Sequence, residues 1–458
     1  MNILVVGQGG REHALARAFA KSPQVEHVFC APGNAGMCAP NCEPNVGVAD
    51  APNAAAPNAT AANATAATHY THKISCVPIA QDNFERLADF CEAHAVNWTF
   101  VGPELPLFDG IVDYFESRGL AIFGPSKKAA QIESSKAFAK NLMHTYHIPT
   151  AAYAVYTSYA EALAAVKATC ETPAGFVPVV IKADGPAAGK GVIIVHTMAE
   201  AEEALQEIFT LHEFGSQTQV VIEELLEGPE FSFFTLVYGD SRVYLPCAQD
   251  FKRQGTGDTG LNTGGMGAYT PVPFVNEALI KQTISTIVEP TLAALAQENA
   301  AFNGVLYTGL MLTQHGPKVI EFNARFGDPE TQVVTSVLDE DMALMITNLM
   351  SGAQTKRTAT AHGCCVGVVV AANGYPKQYV HDIPLDAFSS CPDDIELIYA
   401  GVKAGEKPQS LMSAGGRILM ALSRDETIAK ARVRVYEYLD ARSLPDMFYR
   451  ADIAQKAE

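Results

Sequence analysis

Residues 2–6 read Asn-Ile-Leu-Val-Val and run straight into Gly7-Gln8-Gly9-Gly10; a helical stretch from Arg11 to Lys21 and a second apolar run at Val25–Cys30 follow. This repeated unit constrains the fold more than any other feature. Parallel strands cannot be joined by a hairpin, so a short apolar run, a glycine turn and a helix in succession build a parallel sheet with crossover helices. The pattern continues with a helix expected near Asn83–His94, a strand at Trp98–Val101, a helix near Gly110–Ser117 and a strand at Leu120–Phe123. Residues 1–130 are therefore expected to form a doubly wound α/β domain. Residues 49–68 interrupt it with Ala, Asn, Thr, Pro and a single Asp. Such a segment has almost nothing to bury, and an insertion over about 39–72 is expected to be a flexible surface feature without a catalytic role.

From Ser134 onward glycine-rich loops join strand to strand. Val179–Lys182, a glycine loop and Val192–Val195 read as a hairpin; further strands are expected at Gln219–Glu223, Phe231–Tyr238, Gly304–Leu312 and Lys318–Phe322, with a helix near 340–350. This α+β pattern defines a second domain over 131–358. A third, over 359–458, opens with the apolar run Cys364–Ala371 and ends in a helix around Thr427–Leu439.

Composition narrows the function. The 458 residues are 48% hydrophobic, yet no stretch approaches the roughly 18 uninterrupted apolar residues of a membrane helix. The net charge of −18 argues against a general affinity for nucleic-acid phosphates, which depends on a positive surface. An anionic substrate must then be held by local cations, helix N-termini or a metal ion. The N-terminus reads as a strand rather than a secretion signal, and ten cysteines follow no repeated spacing, so a cytoplasmic protein with reduced thiols is expected. Cys38 and Cys42 form a C-x3-C pair, but no second pair follows at zinc-site spacing.

Six segments carry chemistry. In Gly7-x-Gly9-Gly10 the third glycine of a dinucleotide fingerprint is replaced by Glu12, and Cys30-Ala31-Pro32 ends the second strand without its acidic residue. Glycine amides at a helix N-terminus beside Arg11 suit a phosphate; they equally suit a tight turn beside a surface arginine. The stretch Lys182-Ala-Asp-Gly185-Pro-Ala-Ala-Gly189-Lys190-Gly191 is followed by a strand, not by the Ser/Thr and helix of a Walker loop, so it reads as a glycine hairpin able to cover a polyphosphate. In Gln219–Ser232 a strand ends in Glu223-Glu224, with Glu230 before the next strand. In Glu321-Phe-Asn323-Ala-Arg325-Phe-Gly-Asp328, strand periodicity puts Glu321 and Asn323 on one face, continued by Arg325, and Ile320 and Phe322 on the other. Two oxygen ligands so placed suit Mg²⁺, which completes its shell with phosphates and water. Finally, Asp250-Phe-Lys252-Arg253 precedes the glycine loop Gly264-Gly265-Met-Gly267, whose amides suit anions, and Gly102-Pro103-Glu104 follows a strand at the sheet edge where doubly wound folds bind ligands. No G-x-S-x-G elbow supports a serine hydrolase.

Together these segments resemble the ATP-grasp superfamily and, within it, the phosphoribosylamine–glycine ligases. The resemblance rests on Val-Val-Gly-Gln-Gly-Gly-Arg-Glu-His-Ala-Leu at 5–15, Ala-Pro-Gly-Asn-Ala-Gly at 31–36, Val-Gly-Pro-Glu at 101–104 and Ile-Phe-Gly-Pro-Ser at 122–126. It continues through Ser-Lys-Ala-Phe-Ala-Lys at 135–140, the 179–192 loop, Asn-Thr-Gly-Gly-Met-Gly-Ala-Tyr at 262–269, and 320–332. It implies a doubly wound N-terminal domain, an ATP-grasp domain with a mobile glycine-hairpin lid over about 137–208, and a small C-terminal α/β domain. It also implies an ATP-dependent ligation of glycine to 5-phosphoribosylamine through a glycyl phosphate, with small-molecule partners only, on a monomer.

Carried over by residue, the resemblance implies that Lys136 and Lys182 contact ATP phosphates beneath a hairpin containing Gly185, Gly189, Lys190 and Gly191. Glu223 and Glu224 would lie at the adenine hinge, Glu230 at the ribose, and Glu321 and Asn323 on Mg²⁺ or Mn²⁺. Gly9, Gly10, Arg11, Asn34, Glu104, Asp250, Lys252, Gly265 and Gly267 would hold substrate. Lys182, Arg325 and Asp328 would take part in the chemistry, with Arg325 at the glycine or acyl-phosphate end and Asp328 at the glycine ammonium. The chain departs from the family in Pro186, which should stiffen the lid, and in the 49–68 insertion. It also lacks a carboxylate at Thr308–Leu312, where many relatives place a further metal ligand. The nearest alternative is another ATP-grasp carboxylate–amine ligase or a carboxylase subunit; a nicotinamide oxidoreductase and a non-catalytic nucleotide binder are more distant ones.

Overall fold

A computed structural model of the chain describes residues 1–38, 70–173, 175–185, 191–211, 219–353 and 355–457. The 49–68 insertion, Pro186, Gly189 and Lys190 lie outside the described residues. The first sheet is β1 (Asn2–Gly7), β2 (His27–Pro32), β3 (Ile74–Cys76), β4 (Val96–Val101) and β5 (Ile122–Phe123), all parallel, in the order β3-β2-β1-β4-β5. Ile3 and Val5 enter one core and Leu4 and Val6 another, so β1 is buried on both faces, as an unbroken apolar run requires. The strand order reverses at β1, where the glycine turn after β1 and the Gly102-Pro103-Glu104 turn after β4 meet at the carboxyl edge. The single helix expected near 110–117 is preceded by a short one, Glu104–Asp109, the two divided at left-handed Gly110.

Two sheets form the centre, antiparallel except for one parallel pair between Ser241–Tyr244 and Lys356–Thr358. One orders Val192–Val195, Val179–Ala183, Val220–Glu224 and Tyr153–Tyr156. Ile181, Val195 and Val220 on this sheet pack against Val166, Leu205 and Ile208 of two covering helices, Tyr159–Cys170 and Met198–Phe209. Ser158 and Thr197 cap those helices by accepting from the backbone N–H groups of Glu161 and Glu200. The other sheet orders Gly316–Asn323, Gly304–Thr313, Glu230–Tyr238, Ser241–Tyr244 and Lys356–Thr358.

A six-stranded sheet closes the molecule. It is built on Cys364–Ala372 and Arg417–Asp425, which carry the helix Ile428–Asp440 on one face. It also takes in Gln249–Asp250 and Gly267–Thr270 from the central stretch. The helix Glu330–Val337 wedges between this sheet and the helix after β1, Gly10–Ala20, so all three regions of the chain converge on the segment that follows Asn323. Among the described residues no helix is long and apolar enough to cross a membrane.

Candidate active site

Where the regions converge lies a cleft of about 430 Å³. One wall is cationic. Lys182 and Glu223 stand on neighbouring strands, and because Lys182 pairs in register with Val221, Glu223 is its diagonal neighbour. Their side chains meet at 2.9 Å, and Lys140, from the helix Lys136–Thr145, reaches the other oxygen of the same carboxylate at 2.9 Å. All three are buried. Lys182 also donates to the Ile320 carbonyl at 3.1 Å and Lys140 to the Thr150 hydroxyl at 2.7 Å. One turn before Lys140, Lys136 donates to the Gly185 carbonyl at 3.0 Å. Burial disfavours these ammonium charges: it lowers Lys136 and brings Lys140 down to about 8, although Glu223 opposes the latter shift. The resemblance puts Glu223 and Glu224 at an adenine hinge. In the structure the Glu223 carboxylate is spent on two lysines, while Glu224 pairs at the surface with Lys318 at 2.8 Å.

The facing strand, Gly316–Asn323, departs from simple alternation. Gly309 pairs with Glu321 but Leu310 pairs with Val319, so Ile320 is an extra residue in a β-bulge. Phe322 is buried as expected, yet Ile320 and Phe322 both border the cleft alongside Glu321 and Asn323, so the two faces of the strand are not cleanly separated there. Among the described residues neither Glu321 nor Asn323 spends its side chain on a hydrogen bond or ion pair. A carboxylate and an amide oxygen left open on one cleft wall fit a hard divalent cation whose remaining ligands are phosphate and water. Among the described residues no group of three or more His, Cys, Asp or Glu could hold a metal ion.

Arg325 joins two carboxylates, Glu133 at 2.8 Å and Glu104 at 3.4 Å. Burial opposes the charge of both. At Glu104 the guanidinium groups of Arg325 and Arg11 prevail and hold it low; at Glu133 burial prevails and raises it, even though it also accepts from Ala324 N–H at 2.7 Å. Asp328 is half-buried, and Arg417, 3.4 Å away, and Arg11 overcome the effect of burial and keep it below the ordinary carboxylate range, while Gln332 donates to it at 2.8 Å. Its charge is already matched, which leaves little for a substrate ammonium.

The glycine turn after β1 is filled by the protein itself. The Glu12 carboxylate accepts from Gly9 N–H at 2.6 Å and from Arg11 Nε at 2.6 Å. A Cβ on Gly7 would lie 2.6 Å from Glu12 Cγ, and one on Gly102 2.1 Å from its Oε1. Glu12 therefore occupies the hollow a dinucleotide phosphate would need, and Gly9 has already given its amide. Gly10 permits close packing against Gln332 of the next region. Arg11 alone of this trio faces the cleft, with Nη1 on the Phe326 carbonyl at 2.9 Å. Asn34 does not line it: its amide nitrogen donates to the Gln8 carbonyl at 2.6 Å and the Tyr399 carbonyl at 3.3 Å, tying the first region to the last. Gly267, expected in a loop, sits in a strand paired with Cys364–Ala372, and Gly265 abuts Pro329, so Thr263 and Gly264 are what this segment presents to the cleft.

The opposite wall is acidic. Lys252 lies between Asp250 and Glu230, each at 3.1 Å, and Glu330 is buried beneath them, accepting from Ser232 Oγ at 3.2 Å. Ser232 shares a 2.9 Å hydrogen bond with Tyr307. Burial, and then the nearby Asp250, push Glu330 up to about 7. Sequence reasoning missed Glu133, Lys140, Tyr307, Glu330 and Arg417 as site residues. Lys140 had a signal, since it lies one helical turn from Lys136, and Glu330 lies two residues past Asp328. Tyr307 and Arg417 come from unremarkable strand interiors and had none.

Comparison with known proteins gives a consistent picture. The chain matches the models of the phosphoribosylglycinamide synthetase N domain over residues 1–64 and 49–133, ATP-grasp (A) domain over 134–331, and C domain over 365–456. It is 43% identical to the phosphoribosylamine–glycine ligase of Halalkalibacterium halodurans, across 100% of this chain and 97% of that protein. It is 42% identical to the Streptococcus pneumoniae protein of the same name, across 100% of both. The crystal structure of phosphoribosylamine–glycine ligase from Thermotoga maritima superposes with a TM-score of 0.78 at 30% identity, covering 99% of this chain and 100% of that one. A biotin carboxylase from Campylobacter jejuni, 13% identical, shares the fold with a TM-score of 0.69 over 98% of this chain and 92% of that one.

Proposed function

The chain belongs to the phosphoribosylglycinamide synthetase family, and on that premise we propose that it joins glycine to 5-phosphoribosylamine with cleavage of ATP to ADP and phosphate, forming glycinamide ribonucleotide in purine biosynthesis. The observation that carries this reading is the gathering, in one cleft, of three lysines, Lys136, Lys140 and Lys182, with an open oxygen pair, Glu321 and Asn323. A carboxylate is a poor electrophile, so a glycine carboxylate oxygen attacks the γ-phosphorus and the bond to ADP breaks, giving glycyl phosphate. The amine of phosphoribosylamine then attacks the carbonyl carbon, the bond to phosphate breaks, and the nitrogen loses a proton. No enzyme nucleophile is required.

In this account Lys136 and Lys182 hold the phosphates, and Glu223 with Lys140 holds Lys182 in place. Glu321 and Asn323 would hold Mg²⁺ or Mn²⁺, which would supply charge neutralisation on the phosphates. Arg325, set by Glu104 and Glu133, orients the glycine carboxylate, and Arg11, Lys252 and the 263–265 turn face the phosphoribosyl side. The charge balance at Asp328 argues for a positioning part, bracing Arg417 and the helix after β1. The hairpin of residues 179–195, within a lid over about 137–208, excludes water from the acyl phosphate. Domains of 1–130, 131–358 and 359–458, a monomer and a cytoplasmic site of action belong to the same reading. The test is ADP release with glycine and freshly generated phosphoribosylamine, each omitted in turn. Full turnover should require both; turnover indifferent to either, or dependent on bicarbonate, would contradict the reading.

A further inference from the structure

Away from the cleft, the carboxyl ends of β2 and β3 gather three thiols. Cys30 and Cys76 are register partners on these adjacent strands, and Cys38, in the turn after β2, places its Sγ 3.1 Å from Cys76 Sγ. A disulfide needs about 2.03–2.05 Å between sulfurs, so closure asks for a movement on the order of 1 Å.

The surroundings fix both sulfurs. Gly33 adopts φ +67, and a Cβ there would lie 2.5 Å from Cys76 Sγ, so the turn leaves room for that sulfur only because residue 33 is glycine. Cys76 Sγ also lies 3.3 Å from the Asn34 carbonyl, a second acceptor within reach of its one S–H proton, and Asn34 is itself anchored to the Gln8 and Tyr399 carbonyls. Cys30 is fully buried and Cys38 is buried at 9% exposure, whereas Cys76 is half-buried.

We propose that Cys38 and Cys76 are an oxidisable dithiol, converted by a peroxide into a Cys38–Cys76 disulfide. The Cys38 thiolate attacks one peroxide oxygen and the O–O bond breaks, giving a sulfenic acid and a hydroxide that takes up the proton released by the Cys38 thiol and becomes one water. Cys76 sulfur then attacks Cys38 Sγ, the S–O bond breaks, and the hydroxyl leaves with the Cys76 proton as a second water. Two thiols are oxidised and one peroxide is reduced. The roles follow from the contact: the hydrogen bond with Cys76 holds Cys38 below the ordinary thiol range, and the same bond together with burial holds Cys76 above it. In a reducing compartment the dithiol is the resting form. The disulfide would tie the two ends of the stretch 39–75 and clamp the turn whose Asn34 reaches the C-terminal sheet.

The test treats the full-length protein with hydrogen peroxide, alkylates it, and maps the peptides without reduction. The expected result is a Cys38–Cys76 linked peptide two hydrogens lighter than its parts, loss of alkylation at both positions, and recovery with dithiothreitol. Cys38→Ser and Cys76→Ser should each abolish the linkage. A linkage of Cys38 to another cysteine, Cys42 included, would overturn the proposal. So would continued alkylation of both thiols at a dose that oxidises the exposed Cys391. The wild-type map decides the matter even where a variant fails to fold.

Discussion

The two walls of the cleft achieve opposite charge by different means. The cationic wall is compact: one helix turn supplies Lys136 and Lys140, two neighbouring strands supply Lys182 and Glu223, and a single carboxylate serves two buried ammonium groups. The acidic wall is dispersed, with Glu230, Asp250, Glu321 and Glu330 arriving from separate segments around Lys252. An excess of positive charge waits on one side for phosphate, and an excess of negative charge waits on the other for cations. Burial makes both excesses costly until a ligand arrives.

Glu321→Ala breaks the comparison most severely. Removing the open carboxylate should lower kcat by roughly 10²-fold or more, read as ATP-dependent phosphate release at ordinary Mg²⁺; retained turnover would remove the metal assignment. Glu223→Ala strikes the other wall and should act on stability first. Two buried ammonium groups would share no carboxylate, a loss of about 3–5 kcal/mol in urea unfolding. Glu321→Ala should cost far less by that measure, because its carboxylate pairs with nothing among the described residues.

Glu330→Gln sharpens the contrast through pH. Burial and Asp250 raise this carboxyl from 4.5 to about 7, so the folded state favours its protonated form. Its contribution to stability is complete below about pH 4.5 and is lost as pH rises through about 7. The variant cannot titrate, so its stability between those values should fall less steeply with pH than that of the parent, by on the order of 3 kcal/mol in total. A parallel pair of profiles would contradict the assignment. Deleting residues 51–67 should have the smallest effect, leaving kcat nearly unchanged, since the segment is too poor in apolar residues to join a core; a large fall would show that it acts in the reaction.

The same contrast explains what the sequence reveals. The cationic wall is built from local motifs, so Lys136, Lys182 and the hairpin are legible, and the continuous apolar runs disclose the parallel sheet. What the sequence hides is pairing. Nothing local tells that Glu223 bridges two lysines, that a bulge brings Ile320 into the cleft, or that Glu12 fills the glycine turn. The half-exposed edge strand Tyr153–Tyr156 and the short strands Gln249–Asp250 and Gly267–Thr270 carry no alternation to betray them. Gly267 was misread for that reason, its strand identity being set by a partner a hundred residues downstream.

Diffraction from crystals grown with Mg²⁺ and a non-hydrolysable ATP analogue tests the opposed walls most directly. The account predicts a metal bonded at about 2.0–2.1 Å to oxygens of Glu321 and Asn323, with the phosphates hydrogen-bonded to the Lys136 and Lys182 ammonium groups. A metal seated instead among Asp250, Glu230 and Glu330, or a triphosphate lying away from the lysines, would contradict it.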